Sequence, residues 1–174
     1  LKSDENGKIN LKNLQYGHYQ IQEIKTLWNY VLNDKPVNFE VKENGKNIKL
    51  EMTNKKIRGT VEVYKVDKDT NRPLEGVEFE LFNGENKIGT YTTDKDGKIV
   101  VKNLEAGSYT WKEVKAADHY DKNEDDFKFN IYQDGQVEKI TVNNKVKTGD
   151  FEFTKTDVTT GKTINGGLPR KNSR

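Results

Sequence analysis

Three polar residues end apolar stripes in this chain: Lys65 in TVEVYKVDKD, Glu113 in SYTWKEVK and Asn144 in EKITVNN. Alternate residues of a strand share a face. Lys65 therefore sides with Val61 and Val63, Glu113 with Tyr109 and Trp111, and Asn144 with Ile140 and Val142. All three are expected to enter a core, from three different strands. Taken singly, each has an ordinary reading: a lysine snorkels its ammonium to water, a glutamate sits at a rim and an asparagine begins a turn. Taken together, they make a buried Lys–Glu ion pair hydrogen-bonded to Asn, weakly stabilising because desolvation offsets much of the Coulomb gain. They also permit chemistry. An apolar pocket weakens the preference of lysine for its charged form, and a neutral amine is a nucleophile for which the Asn carboxamide is an acyl acceptor. A protonated Glu113 can donate to the Asn144 carbonyl oxygen, stabilise the developing oxyanion and carry the amine's proton to departing ammonia. The product is a Lys–Asn isopeptide bond, with proximity supplying most of the acceleration and no metal or cofactor required.

The elements that position these residues come from an internal repeat. DENGKINLKNLQYGHYQIQEIK at 4–25 aligns with DKDGKIVVKNLEAGSYTWKEVK at 94–115, an offset of 90. Between residues 1–54 and 91–144, 17 of 54 positions are identical without a gap, too many for chance at one register. The offset continues from GTVEVYKVDKDT at 59–70 to GDFEFTKTDVTT at 149–160. The expected organisation is the later part of one repeat at 1–58, a complete repeat at 59–148, and an opening strand plus tail at 149–174. The inward stripes recur in the flanking copies, where Glu23 follows Tyr19 and Ile21, Asn54 follows Leu50 and Met52, and Lys155 follows Phe151 and Phe153.

Short alternating runs (VEVYKV, VEFELF, KIGTYTT, KIVVKNL, SYTWKEV, FKFNIY, EKITVNN) are separated by NGEN, KDGK, EAGS and QDGQ turns. This predicts an all-β chain of tandem two-sheet, Ig-like β-sandwich repeats of about 90 residues. Asp94-Lys95-Asp96-Gly97 begins like a calcium loop but lacks a bidentate Glu at the later spacing, so a hairpin turn is the better reading. The 30 basic and 28 acidic residues give a net charge of +2, which removes the concentrated basic face that nucleic-acid binding needs. No apolar run is long enough to span a bilayer. Cysteine is absent, so neither disulfides nor thiolate metal sites stabilise the thin cores.

GTVEVYKVDKDTNRPLEGVEFELF, YTWKEVKAADHY and the junction ITVNNKVKTGDFEFTKTD resemble the opening strand, the glutamate motif and the module boundary of collagen-adhesin B-type (Cna B-type, SpaA-like) domains. The resemblance covers the chain to about Gly167. It implies a transthyretin-like sandwich from the stalk of a Gram-positive cell-surface adhesin or pilin, anchored to the cell wall in the full-length protein. It also implies an autocatalytic bond between Lys65 and Asn144 promoted by Glu113, a single self-cross-linking event rather than an enzyme with turnover. Its implied partners are neighbouring repeats of the same protein, with a host extracellular-matrix ligand engaged through other domains. AADHY departs from the family's usual proline- and glycine-containing turn after the glutamate, which bears on the loop shape and not on the three residues.

Glu23 and Asn54 have no upstream lysine here and Lys155 has no downstream partner, so one hypothesis is that 149–168, or the same segment of another molecule, fills the first copy by strand exchange, and its rival is that the copies are incomplete only where the fragment is cut. A solvated Lys155 would speak against strand exchange. A rival function is a ligand-binding adhesive domain that uses Trp28, Tyr30 and Tyr120 and keeps an uncross-linked polar cluster. His18 and His119 do not align in the repeat, and no nucleophile elbow or metal-ligand cluster supports an extracellular enzyme. The tail LPRKNSR begins like a sorting signal without its TG.

Overall fold

The structure is a computed structural model that describes residues 1–43 and 45–165. The LPRKNSR tail lies outside the described residues. Nine strands occur in order: β1 (Gly17–Ile21), β2 (Val37–Val41), β3 (Arg58–Asp67), β4 (Glu78–Asn83), β5 (Asn86–Thr92), β6 (Lys98–Glu105), β7 (Gly107–Lys115), β8 (Asp126–Ile131) and β9 (Val137–Asn144). The alternating runs read from the sequence fall on β3 to β9, and no helix occurs among the described residues.

β3 to β9 form two sheets, of order β6-β3-β9 and β5-β4-β7-β8. Their inward side chains interdigitate as a sandwich core in which Val61, Val63, Phe79, Leu81 and Trp111 are fully buried. Trp111 meets Phe79 and Tyr91 edge-on, with ring centroids 6.1 and 5.4 Å apart, an arrangement the aromatic quadrupole favours. The turns close as their residues require. In the β5–β6 connection, Asp94 Oδ1 accepts the N–H groups of Asp96 and Lys98 at 2.9 and 2.8 Å. Gly97 takes φ +67°, with its Cα hydrogen facing the Lys65 carbonyl. Every pairing within these sheets is antiparallel except one: β3 and β9 run parallel, Lys65 opposite Val142 and Asp67 opposite Asn144. The chain thus enters at the Arg58 pole and leaves at the opposite pole.

The β1–β2 hairpin repeats β7–β8 at the same offset of 90. Tyr19 stacks on Phe39 at 5.3 Å as Tyr109 stacks on Phe129 at 5.2 Å, both with 16° between planes. Residues 8–15 and 47–54, the counterparts of β6 and β9, form no strand. The reason lies in the topology. β6 and β9 both bond to β3, and residues 1–54 contain no counterpart of β3, so these segments have no ladder to join. The link Lys55-Lys56-Ile57-Arg58 is held from both sides. The Lys55 carbonyl accepts from Val31 N–H and Ile57 N–H donates to Asn29, while Asp134 accepts from Arg58 N–H and pairs with Lys55 at 2.8 Å. Ile57 is buried in the core.

Candidate functional site

β3 carries Lys65 inward because its buried positions alternate from Gly59 through Val61, Val63 and Lys65 to Asp67. β7 buries Tyr109, Trp111 and Glu113, and β9 buries Val142 and Asn144 while Asn143 is exposed. Lys65, Glu113 and Asn144 are 0%, 3% and 2% exposed, and the fold brings them together. Lys65 Nζ donates to Asn144 Oδ1, stands 3.1 Å from Glu113 Oε2 and lies 5.9 Å from the Phe79 ring centroid. Asn144 Nδ2 donates to Glu113 Oε1 at 2.6 Å. Glu113 Oε2 accepts no directed hydrogen bond, so its contact with the ammonium is one of charge. Burial pushes the Lys65 pKa below its ordinary value, with the Glu113 carboxylate opposing the shift.

One detail differs from the sequence-based mechanism. Glu113 faces the carboxamide nitrogen of Asn144, the leaving group of an acyl transfer, and the carbonyl oxygen is held by Lys65 instead. The reason is register: β3 and β9 are bonded neighbours, so Lys65 reaches the near side of the amide and Glu113 meets its other side from the opposing sheet.

The flanking residues behave differently from one another. Asn54 Nδ2 donates to Glu23 Oε2 at 2.6 Å, and the same oxygen accepts Asn33 N–H at 2.8 Å. Those two bonds, the backbone one first, hold the Glu23 carboxyl below its usual range. Lys155 is exposed. The described part of the chain's own C-terminal segment adds no strand to the first copy, whose sheet is β1-β2 alone. Residues 151–155 form no strand, and Phe151 and Phe153 stack on each other at 6.5 Å while still exposed.

Asp67 escapes the parity argument, although the stripe continues to it, and the sequence offers Tyr120 only as an aromatic of the rival ligand-binding face. Asp67 is 2% exposed. Its Oδ1 accepts the N–H groups of Asp69 and Thr70 at 2.9 and 2.7 Å, and its Oδ2 accepts the Tyr120 hydroxyl at 2.7 Å. These bonds, Tyr120 first, hold its carboxyl well below the usual carboxylate range. The signal in the sequence is the recurrence of VDKDT as TDVTT, where Asp157 caps Thr159 and Thr160 in the same way. Tyr30 and Tyr120 are half-buried, and Trp28 alone of the three aromatic candidates is exposed. No cluster able to hold a metal ion occurs among the described residues.

With two sheets, a parallel first-to-last strand pair and a buried Lys–Glu–Asn set described, comparison places the chain. The SpaA prealbumin-like fold domain matches residues 1–56 and 59–146, and the chain belongs to that family. The structure is similar to that of the Bacillus anthracis TIE protein, with 34% sequence identity and a TM-score of 0.77 over 83% of this chain and 28% of that one. It also resembles GBS52, the minor pilin of Streptococcus agalactiae, at 21% identity and a TM-score of 0.50 over 88% of this chain and 70% of that one, a likeness of fold alone. The chain thus spans less than a third of the Bacillus anthracis structure. A comparison with curated proteins found no match.

Proposed function

We propose that residues 59–148 form a stalk module of a bacterial cell-surface adhesin or pilin, closed by an autocatalytic isopeptide bond between Lys65 and Asn144. The observation that carries this reading is the buried contact of amine, carboxylate and carboxamide from three strands. Burial favours the neutral amine. Its Nζ attacks Cγ of Asn144, the Nζ–Cγ bond forms, the Cγ–Nδ2 bond breaks and ammonia leaves. Glu113 relays one proton from the lysine nitrogen to the departing nitrogen, whose position beside Oε1 suits that transfer. Nothing turns over, because the product is part of the fold.

Residues 1–58 and 149–174 belong, in this reading, to neighbouring modules of the same protein, with Glu23, Asn54 and Lys155 as their cross-linking groups. The recurrence of the Glu–Asn bond at 2.6 Å in both copies supports this. The family supports an extracellular, wall-anchored setting for the module. Any host-matrix ligand is met by other domains: the inward turn of Tyr30 and Tyr120 removes two of the three aromatics that a ligand-binding face would use. Intact mass under denaturing conditions tests the bond. The wild-type chain is expected one ammonia lighter than its sequence, and Glu113→Ala and Lys65→Ala at full mass. A wild-type chain at full mass refutes the cross-link and leaves a buried ion pair.

A further inference from the structure

We propose that Tyr120 is a positioning residue for the Lys65–Asn144 cross-link, acting through its hydrogen bond to Asp67. This rests on the isopeptide reading above. The loop after β7 leaves the strand that carries Glu113 and touches both of the other reacting strands. Its Tyr120 hydroxyl binds Asp67, two residues beyond Lys65 on the same face of β3. Its backbone clasps the chain leaving β9. Tyr120 bridges to Val146, Asp121 N–H donates to the Lys145 carbonyl at 2.9 Å and Lys147 N–H donates to the His119 carbonyl at 2.8 Å. Asn144 itself is gripped through its carbonyl, which accepts Lys68 N–H at 2.9 Å one residue after Asp67.

Asp67 and Asn144 are opposite one another in the parallel ladder. The hydroxyl therefore closes a ring of contacts from β7 to β3 to β9 around the three reacting groups, at the end of the ladder where strands fray. Without it, the loop keeps its backbone clasp on β9 but loses its hold on β3, and Nζ and Cγ are free to drift apart. A misplacement of about 1 Å costs an intramolecular reaction up to about a hundredfold. The clasp recurs 90 residues earlier, where Tyr30 bridges to Lys56 and Ile57 N–H donates to Asn29. That recurrence argues that the loop is built for the strand exit and is not an accident of AADHY.

The test is the rate of bond closure in pulse-labelled cell-free synthesis, quenched in denaturant, with the fraction one ammonia lighter followed by intact mass. Tyr120→Phe removes one oxygen and is expected to lengthen the half-time roughly ten- to a hundredfold while the final extent stays that of wild type. Asp67→Ala is expected to slow closure as well, and the double variant no more than the slower single, because the two act through one bond. Thermal unfolding of Tyr120→Phe in a Lys65→Met, Glu113→Gln background, against that background alone, reads the loss of folded chain at the assay temperature. A wild-type half-time for Tyr120→Phe overturns the proposal, as does a slowing no larger than the loss of folded chain. If Asp67→Ala does not fold, Tyr120→Phe alone decides. Wild type that never loses ammonia refutes the cross-link itself and this inference with it, whereas equal half-times refute this inference alone.

Discussion

Pulling on single molecules offers a sharp test of the cross-link, because the topology fixes what the bond withholds. The chain enters along β3 and exits along β9, parallel and adjacent, so tension shears that pair along its length. With the bond in place, force passes from Arg58 along β3 to Lys65, across the amide to Asn144 and out. Lys65 and Asn144 are 79 positions apart in sequence. At about 3.4 Å per extended residue, that loop stores about 270 Å of chain that tension cannot reach. Lys65→Ala opens the path. Its module is expected to add about 270 Å of contour length when it unfolds, and the wild-type module almost none, in a tether that carries reference domains on both sides. A wild-type module that releases the full length, or a Lys65→Ala module that does not, refutes the assignment of the bond to these two residues.

Closure should quicken as pH rises, since the neutral amine is the nucleophile. Burial lowers the Lys65 pKa from its ordinary 10.5, so the rise in rate is expected to begin at lower pH than for a solvated lysine, and a pH-independent rate measured by intact mass would count against a lysine nucleophile. A second prediction concerns Gly97, where an added Cβ would meet the Lys65 carbonyl oxygen at 2.4 Å in a backbone conformation of φ +67°. Gly97→Ala is expected to cost at least about 2 kcal/mol. Gly135→Ala, at φ +76° with no atom within 4 Å, should cost only about 1 kcal/mol of backbone strain. Denaturant unfolding of both in a Lys65→Ala background measures the difference, and equal losses would refute the close approach.

The two-sheet architecture and the three buried polar residues were legible because strand parity is a local property. Val61, Val63 and Lys65 must share a face whatever the strand pairs with. Pairing partners are not local, which is why three features stayed hidden. Nothing near Asn144 says that β9 lies parallel to β3, and so nothing shows which atom of its carboxamide meets Glu113. Residues 47–54 carry the same stripe as β9 yet form no strand, since a stripe does not supply the neighbour that a ladder needs. Asp67 looks like a turn residue, and it is one: its Oδ1 caps Asp69 and Thr70. Its second role depends on a tyrosine 53 positions away.

The burial on which the proposed reaction of Lys65 depends also complicates any stability measured by deleting it. Lys65→Ala opens the covalent loop, and it also strands the Glu113 carboxylate in a core where only Asn144 Nδ2 still faces it. The first effect is about 4.5 kcal/mol by the chain-entropy argument for a loop of this length. The second is roughly 3–5 kcal/mol, the usual cost of a buried charge left uncompensated. A variant that removes both charges, Lys65→Met with Glu113→Gln, separates them, because it opens the loop and leaves no orphaned charge. It is expected to unfold at lower denaturant than wild type but higher than Lys65→Ala, with the gap to wild type reporting the covalent loop. If the double variant and Lys65→Ala unfold together, the Glu113 carboxylate costs the core nothing. The electrostatic half of this argument then fails while the covalent half stands.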